Sequence, residues 1–329
     1  MNKTSIARAY RDKYGAEMPT LKLARIMYEQ NQPLFNTLDD ARSTLRYIEG
    51  KMGDFNRKHI NTKTHIMTTD RPKNPYNLPK SDQDKFPFFT IKGHKKGLII
   101  GDVHLPYHDE EAITAMLDYA KKEHPDFVFI NGDLLDFHSV SYFMKDPRKK
   151  RFSEELDMMK EFIGILHKTL KCKIYFKFGN HEERYNHFLF TKAHELAGVE
   201  EFSLENIIKS RVPNVEIITD RRVVVIGGLP FIHGHEFGRG VFNPVNAARG
   251  LFLQSKHSAV KSDCHATSEH TEKDIMGKIM TTFSVGCLCG LTPYFASQNR
   301  WNHGFAMIDI LGEKKYKLRN YRVYRGEVL

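Results

Sequence analysis

The sequence predicts an α/β protein: a two-sheet β-sandwich flanked by helices and preceded by a small all-α module. Three observations lead there. From Gly97 onward, short apolar runs of strand length alternate with amphipathic stretches of helix length. A second group of apolar runs then follows with less helix between them. Residues 1 to about 60 carry helical periodicity alone.

In that first stretch Thr4 is the expected cap of a helix over Ser5 to Tyr14, and Gly15 the stop. A second helix is expected after Thr20, with an apolar stripe of Leu21, Leu23, Ala24, Ile26 and Met27. A third begins near Thr37 and carries Leu38, Ala41, Leu45 and Ile48. The three resemble a helix-turn-helix whose last helix presents Arg42, Ser43, Arg46 and Tyr47, residue types suited to phosphate and base contacts. A three-helix bundle serves equally well as an oligomerisation or packing module.

Residues 61–96 contain Pro72, Pro75, Pro79 and Pro87 and read as a linker. The second domain is then 97–329. Its first strands are expected at GLII, FVFI and KIYFKF, with helices at Glu110 to Glu123 and Ser153 to Leu170. VVVI, PFIH, SAV, KIMTTFSV and FAMIDIL are assigned to a second set of strands, at least partly antiparallel and facing the first.

Composition narrows the class. Of 329 residues, 40% are hydrophobic and 27% charged, an ordinary globular mixture rather than a disordered or membrane-spanning one. The N-terminal stretch interleaves charges with apolar residues, so neither a secretory signal nor a membrane anchor is expected, and the expected location is the cytoplasm. Four cysteines without a CxxC pair argue against a disulfide framework or zinc knuckle, and Cys287 and Cys289 read as packing residues. The net charge of +10 suggests an anionic partner such as nucleic acid, DNA foremost, although a solubilising surface explains charge as well. The oligomeric state is open.

The first three strand-like runs each end in polar residues: Gly101-Asp102-Val103-His104, Gly132-Asp133-Leu134-Leu135-Asp136 and Gly179-Asn180-His181-Glu182. Ligands gather at the carboxyl ends of parallel strands, so these groups can meet despite their separation in sequence. Asp102 and His104 can turn toward one ion, Asp133 can bridge two ions with its two oxygens, and Asn180 can offer an amide oxygen to the second.

The ordered set DxH, GDxxD and GNHE, each after a hydrophobic strand, resembles the calcineurin-like metallophosphoesterase superfamily, over roughly Gly97 to Leu311. The resemblance implies two divalent metal ions and a phosphoesterase. It also implies a histidine ligand in Phe231-Ile232-His233-Gly234-His235, where His233 is expected and His235 is the competitor. The last motif of the superfamily is usually GHxH. Here Asp263-Cys264-His265 occupies its place, so His265 fits the second histidine, joining Asp102, His104 and Asp133 at the first metal, and Asp263 replaces the first. An oxygen donor there shifts preference toward Mn²⁺ or Mg²⁺ and away from Zn²⁺, with Fe an alternative. The same substitution leaves open a weakened catalytic site. The resemblance assigns His181 to contact the phosphate and protonate the leaving oxygen, oriented by Asp136.

Three functions follow as alternatives. The first is a phosphodiesterase or nuclease acting on nucleic acid, with Lys149, Lys150 and Arg151 beyond GDLLDF holding a phosphate backbone and Tyr142 and Phe143 as stacking groups. The second is a phosphomonoesterase acting on a phosphoprotein or small ester. The third is a nucleic-acid-binding protein with an impaired site. Trp301 is expected to pack in the core, and Glu269 and His270 to support the ligands from behind.

Overall fold

The computed structural model describes residues 2–52, 74, 76–145, 148, 151–237 and 245–329. The chain divides into two compact units, Met1–Gln83 and Asp84–Leu329.

Among its described residues the first unit holds three helices: α1 (Lys3–Tyr14), α2 (Thr20–Gln30) and α3 (Leu38–Ile48). The first cap is Asn2 rather than Thr4: its Oδ1 accepts the Ser5 amide at 2.8 Å, three residues on, where an orphan N–H of the first turn needs a partner. Gly15, at φ 75°, ends the helix as expected. Thr37 caps α3 by accepting from the Asp40 amide. Ala7, Leu23, Ala24, Met27, Phe35, Ala41 and Leu45 close a small core. Glu49 ties the ends together by pairing with Arg11 and accepting from the Thr20 hydroxyl at 2.8 Å. Arg42, Ser43, Arg46 and Tyr47 all lie exposed on the other side of α3.

The second unit is a mixed α/β sandwich. Its larger sheet contains β2 (Lys96–Ile100), β3 (Phe127–Asn131), β4 (Lys173–Lys177) and β5 (Val215–Ile218), all parallel, with β11 (His303–Gly312), β12 (Lys315–Tyr324) and β13 (Glu327–Val328) added antiparallel beyond β2. The second sheet runs β1 (Phe89–Ile91), β6 (Val224–Ile226), β7 (Leu229–Phe231), β8 (Ala259–Lys261), β10 (Ile279–Ser284) and β9 (Ser268–Lys273).

Side-chain alternation explains the layering. In β2, β3 and β4, Leu98, Ile100, Val128, Ile130, Ile174 and Phe176 face helices α4 (Glu110–Glu123) and α5 (Phe152–Leu170), which supply Met116, Ala120, Leu156, Met159 and Leu166. Ile99, Phe127, Phe129 and Tyr175 point the other way, into the space between the sheets, against Val224, Ile226, Phe231 and Val260. Phe129 meets Phe231 edge-on at a centroid distance of 5.7 Å. Phe129→Ala is expected to cost about 3–5 kcal/mol in urea unfolding, through lost transfer energy and a cavity between two rigid sheets.

Two strand assignments are corrected. β1 lies inside the stretch expected to be linker and pairs with β6, so sheet structure begins before residue 97. The FAMIDIL strand, β11, belongs to the first sheet and pairs with β2. Phe305 and Met307 face the helices while Ala306 and Ile308 face the sandwich. A run apolar on both sides belongs where both faces are covered. The polar strands β9 and β12 carry no apolar run and are set by pairing with β10 and β11.

Candidate metal centre

The ends of β2, β3, β4, β7 and β8 open on one edge of the sandwich, and the polar residues that follow them converge there. Asp133 is the common point. Its Oδ2 lies 3.2 Å from His233 Nε2, 3.7 Å from His104 Nε2 and 3.8 Å from His181 Nε2, and its Oδ1 accepts the His181 amide at 2.9 Å. On one side of it, His104 Nε2 and His265 Nε2 stand 3.2 Å apart, with Asp102 Oδ1 3.4 Å from His265 Nε2. On the other, Asn180 Oδ1 is 3.0 Å and Asp263 Oδ1 3.8 Å from His233 Nε2. Asp102, His104, Asp133 and His233 are buried.

The backbone is contorted to achieve this. Asp102, His104, Asp133, Asp263 and His265 all have φ between 49° and 64°, the left-handed region that costs an L-residue about 1 kcal/mol or more. Gly179 permits the close approach of two loops, since a Cβ there would collide with Asp133 Oδ1.

The donor chemistry fits divalent cations. His233 Nδ1 faces the Asn131 carbonyl at 2.7 Å, so it donates its proton there and aims the Nε2 lone pair at oxygens of Asp133, Asn180 and Asp263, none of which brings a proton. Lone pairs turned on one another are stable only around positive charge. Without a cation, protons supply it: burial disfavours the charged imidazolium of His265, but Asp102 outweighs this and raises its pKa to about 9. Burial likewise opposes charging of His233, yet Asp133 and Asp102 hold its pKa well above the ordinary value. Bound metal replaces those protons, so affinity rises with pH. Among the described residues the potential ligand groups are Asp102, Asp133 and His233; His104, Asp133 and His181; and His104, His265 and Cys289.

Asp136 orients two imidazoles. Its Oδ1 lies 3.1 Å from His181 Nδ1 and 3.4 Å from His104 Nδ1. Burial pushes its pKa up, but these two partners outweigh burial and hold the carboxyl ionised. The same pull acts on His181, where burial lowers the pKa and Asp133 and Asp136 raise it further than that. Arg184 donates to the Asp136 carbonyl at 2.6 Å and sets Nη2 2.8 Å from His181 Nε2. A guanidinium has no acceptor, so in this arrangement the His181 proton sits on Nδ1.

Behind the ligands are residues that sequence reasoning missed. Glu182, fully buried, accepts from the amides of Asp133 (3.0 Å), Gly179 (2.8 Å) and Leu135 (3.0 Å). Glu236 accepts from His233 and Gly234 and pairs with buried Lys177 at 2.8 Å. The acid in GNHE was a signal for the first; Arg184, Glu236 and Lys177 had none. Cys289 is not mere packing: its Sγ is 3.8 Å from His265 Nδ1. Trp301 is half-buried rather than core, with its ring 4.1 Å from that of His265.

His235 lies apart from Asp133 and bonds Glu183 at 3.1 Å. Glu269 and His270 stand on β9, where His270 meets Glu272. Arg151 is exposed and its amide donates to Glu154 at the start of α5. Lys149 and Lys150 lie outside the described residues.

Glu155 offers a pH test. Its carboxylate accepts the Phe137 amide at 2.6 Å and is buried. Burial pushes its pKa up to about 8, with the Asp136 charge adding and the Phe137 bond opposing. The folded state therefore holds a proton that the unfolded chain releases near its ordinary value, so this group's stabilisation is lost as pH rises through about 8. Glu155→Gln is expected to remove that loss: its thermal midpoint should match the wild type at pH 5 and exceed it at pH 9.

Residues 95–285 match the family of calcineurin-like phosphoesterases. An alignment of 232 positions, covering 67% of this chain and 90% of the other, is 23% identical to the Gene 54 protein of Mycobacterium phage L5. Among solved structures, Vps29 of Cryptosporidium parvum is similar with a TM-score of 0.40 and 15% identity, over 72% of this chain and 95% of that one. Zinc-complexed Vps29 from Entamoeba histolytica gives 0.38 and 14%, over 71% and 96%. A dimetal phosphatase from Danio rerio gives 0.36 and 13%, over 74% and 98%. The family match takes in more than half of the sequence and every side chain gathered around Asp133, and the chain belongs to the calcineurin-like phosphoesterase family.

Proposed function

We propose that this chain is a dinuclear-metal phosphodiesterase acting on nucleic acid. Family membership makes it a metal-dependent phosphoesterase, and the observation that carries the rest is the doubled donor set around one shared carboxylate. Asp102, His104, Asp133 and His265 would hold one ion, and Asp133, Asn180, His233 and Asp263 would hold the other. Oxygen donors outnumber imidazoles in the second set, which favours Mn²⁺ or Mg²⁺ over Zn²⁺. When bound, the ions polarise the phosphate and acidify the attacking water.

The chain's own groups complete the reaction. His181 protonates the leaving oxygen from Nε2 after Arg184 turns from it to the substrate phosphate. Asp136 keeps the ring oriented and favours its charged form. Arg184 then neutralises charge on the phosphate, a role suited to its fork of donors.

Nucleic acid is the substrate class favoured by the net charge of +10 and by the exposed Arg42, Ser43, Arg46 and Tyr47 on α3. That helix is proposed as the DNA-presenting element of a helix-turn-helix. The test is hydrolysis of bis-p-nitrophenyl phosphate against p-nitrophenyl phosphate with Mn²⁺, Mg²⁺, Zn²⁺ or EDTA. Metal-dependent turnover preferring the diester is expected; preference for the monoester overturns the diesterase reading, and folded protein inert with every metal overturns catalysis.

A further inference from the structure

The metal-binding edge carries exposed aromatic rings at both ends of one line of contacts. At one end the Tyr142 and Phe143 rings lie against each other, tilted by 31° with centroids 4.1 Å apart, and the Arg184 guanidinium lies 5.9 Å over the Phe143 ring. Arg184 leads to His181, His181 to His104 at a ring distance of 4.3 Å, and His104 to His265 at 5.0 Å. His265 then meets Trp301, and Trp301 meets Phe295 at 6.2 Å. Next to Phe295, Tyr294 is fully exposed, and Tyr142 is 78% exposed.

Rings as exposed as Tyr142, Tyr294 and Phe295, beside a phosphoesterase site, contribute little to folding. Around them are cations: Arg184, exposed Lys145 and exposed Arg300. Rings interleaved with positive charge match a strand whose phosphates and unpaired bases are both available. In a duplex the base faces are already stacked on one another and cannot reach such rings.

We infer that the substrate is single-stranded nucleic acid, whose bases stack on Tyr142 and Phe143 at one end of the metal site and on Trp301, Phe295 and Tyr294 at the other. The inference rests on the phosphodiesterase reading and narrows it to a strand that crosses the site with a base gripped on each side of the reacting phosphate.

Trp301 is the only tryptophan in the chain and reports directly on stacking. The full-length protein is titrated, with EDTA present to prevent turnover, with a single-stranded oligothymidylate, an abasic oligomer of equal length, and a blunt duplex. The single strand is expected to quench Trp301 fluorescence and to bind about a hundredfold more tightly than the abasic strand, about tenfold for the base gripped on each side. The double variants Tyr142→Ala/Phe143→Ala and Tyr294→Ala/Phe295→Ala remove side chains that bury little, so both should fold and each should weaken single-strand binding by about tenfold. Equal affinity for the abasic strand, preference for the duplex, or unchanged binding by both double variants overturns the inference. Diester hydrolysis surviving such a result leaves the phosphodiesterase reading intact; its absence with every metal removes that reading by itself.

Discussion

Asp133→Asn is expected to lower turnover by about a thousandfold or more without unfolding the protein. The substitution keeps the shape and leaves an amide oxygen to accept the His181 amide, as Asp133 Oδ1 does. It removes the charge on which His104, His181 and His233 converge. Stabilisation of transition-state charge by bound ions amounts to several kcal/mol, and each 1.4 kcal/mol is a factor of ten in rate. Stability should move separately. Burial raises the Asp133 pKa, but His233 and His181 outweigh burial and hold it well below the ordinary value, so the metal-free variant should melt somewhat lower than metal-free wild type. Saturating Mn²⁺ should raise the wild-type midpoint, by about 2.7 kcal/mol of stability at a hundred times the dissociation constant, and should leave the variant nearly unmoved. A variant that retains both turnover and the Mn²⁺-induced shift would show that Asp133 is not the shared ligand.

Glu182→Ala is expected to destabilise the fold by about 3 kcal/mol or more. Three backbone amides donate to this one side chain, and each buried N–H left unpaired costs about 1–3 kcal/mol, with water entering the vacated space recovering part. That is a large share of the roughly 5–15 kcal/mol that holds a domain together. Glu183→Ala is the control: its partners Arg221 and His235 sit nearer the surface, and its loss should cost about 1 kcal/mol or less. Glu182→Gln keeps one acceptor and turns an amide N–H against the remaining donors, so it should fold and lose about 10- to 100-fold in activity as the Asp133 loop shifts. Urea unfolding of both alanine variants, with diester turnover of the glutamine variant, checks this; equal unfolding costs for the two alanines would sink the stapling role.

Glutamates, one buried and one partly buried, thus support both halves of the centre. Glu182 fixes the loops after β3 and β4, and Glu236, neutralised by Lys177, fixes the loop after β7. Burial opposes ionisation of Glu236, but Lys177 and His235 outweigh it and lower its pKa to about 2. Among the described residues no helix is long and apolar enough to cross a membrane.

What the sequence determined by itself is local in origin. The apolar runs of β2, β3 and β4 and the polar residues at their ends were legible because strand periodicity and motif spacing are written in consecutive residues. Asp102, His104, Asp133 and Asn180 were named from that pattern, and His233, Asp263 and His265 from the family resemblance it carries; the structure brings all seven to one edge. Helix α4 begins and ends where its periodicity placed it. Tertiary structure decided the rest. β11 joined the first sheet because only there are both of its apolar faces covered, and β9 and β12 exist because a neighbour offers them hydrogen bonds. His233 was separated from His235 by which imidazole could hand a proton to the Asn131 carbonyl while facing Asp133. Cys289 and Trp301 reach His265, Arg184 reaches Asp136 and Lys177 reaches Glu236 across long sequence separations, and no spacing rule records such contacts. A side chain's role there depends on which atoms the fold sets within about 4 Å of it, and that distance is a property of packing rather than of sequence order.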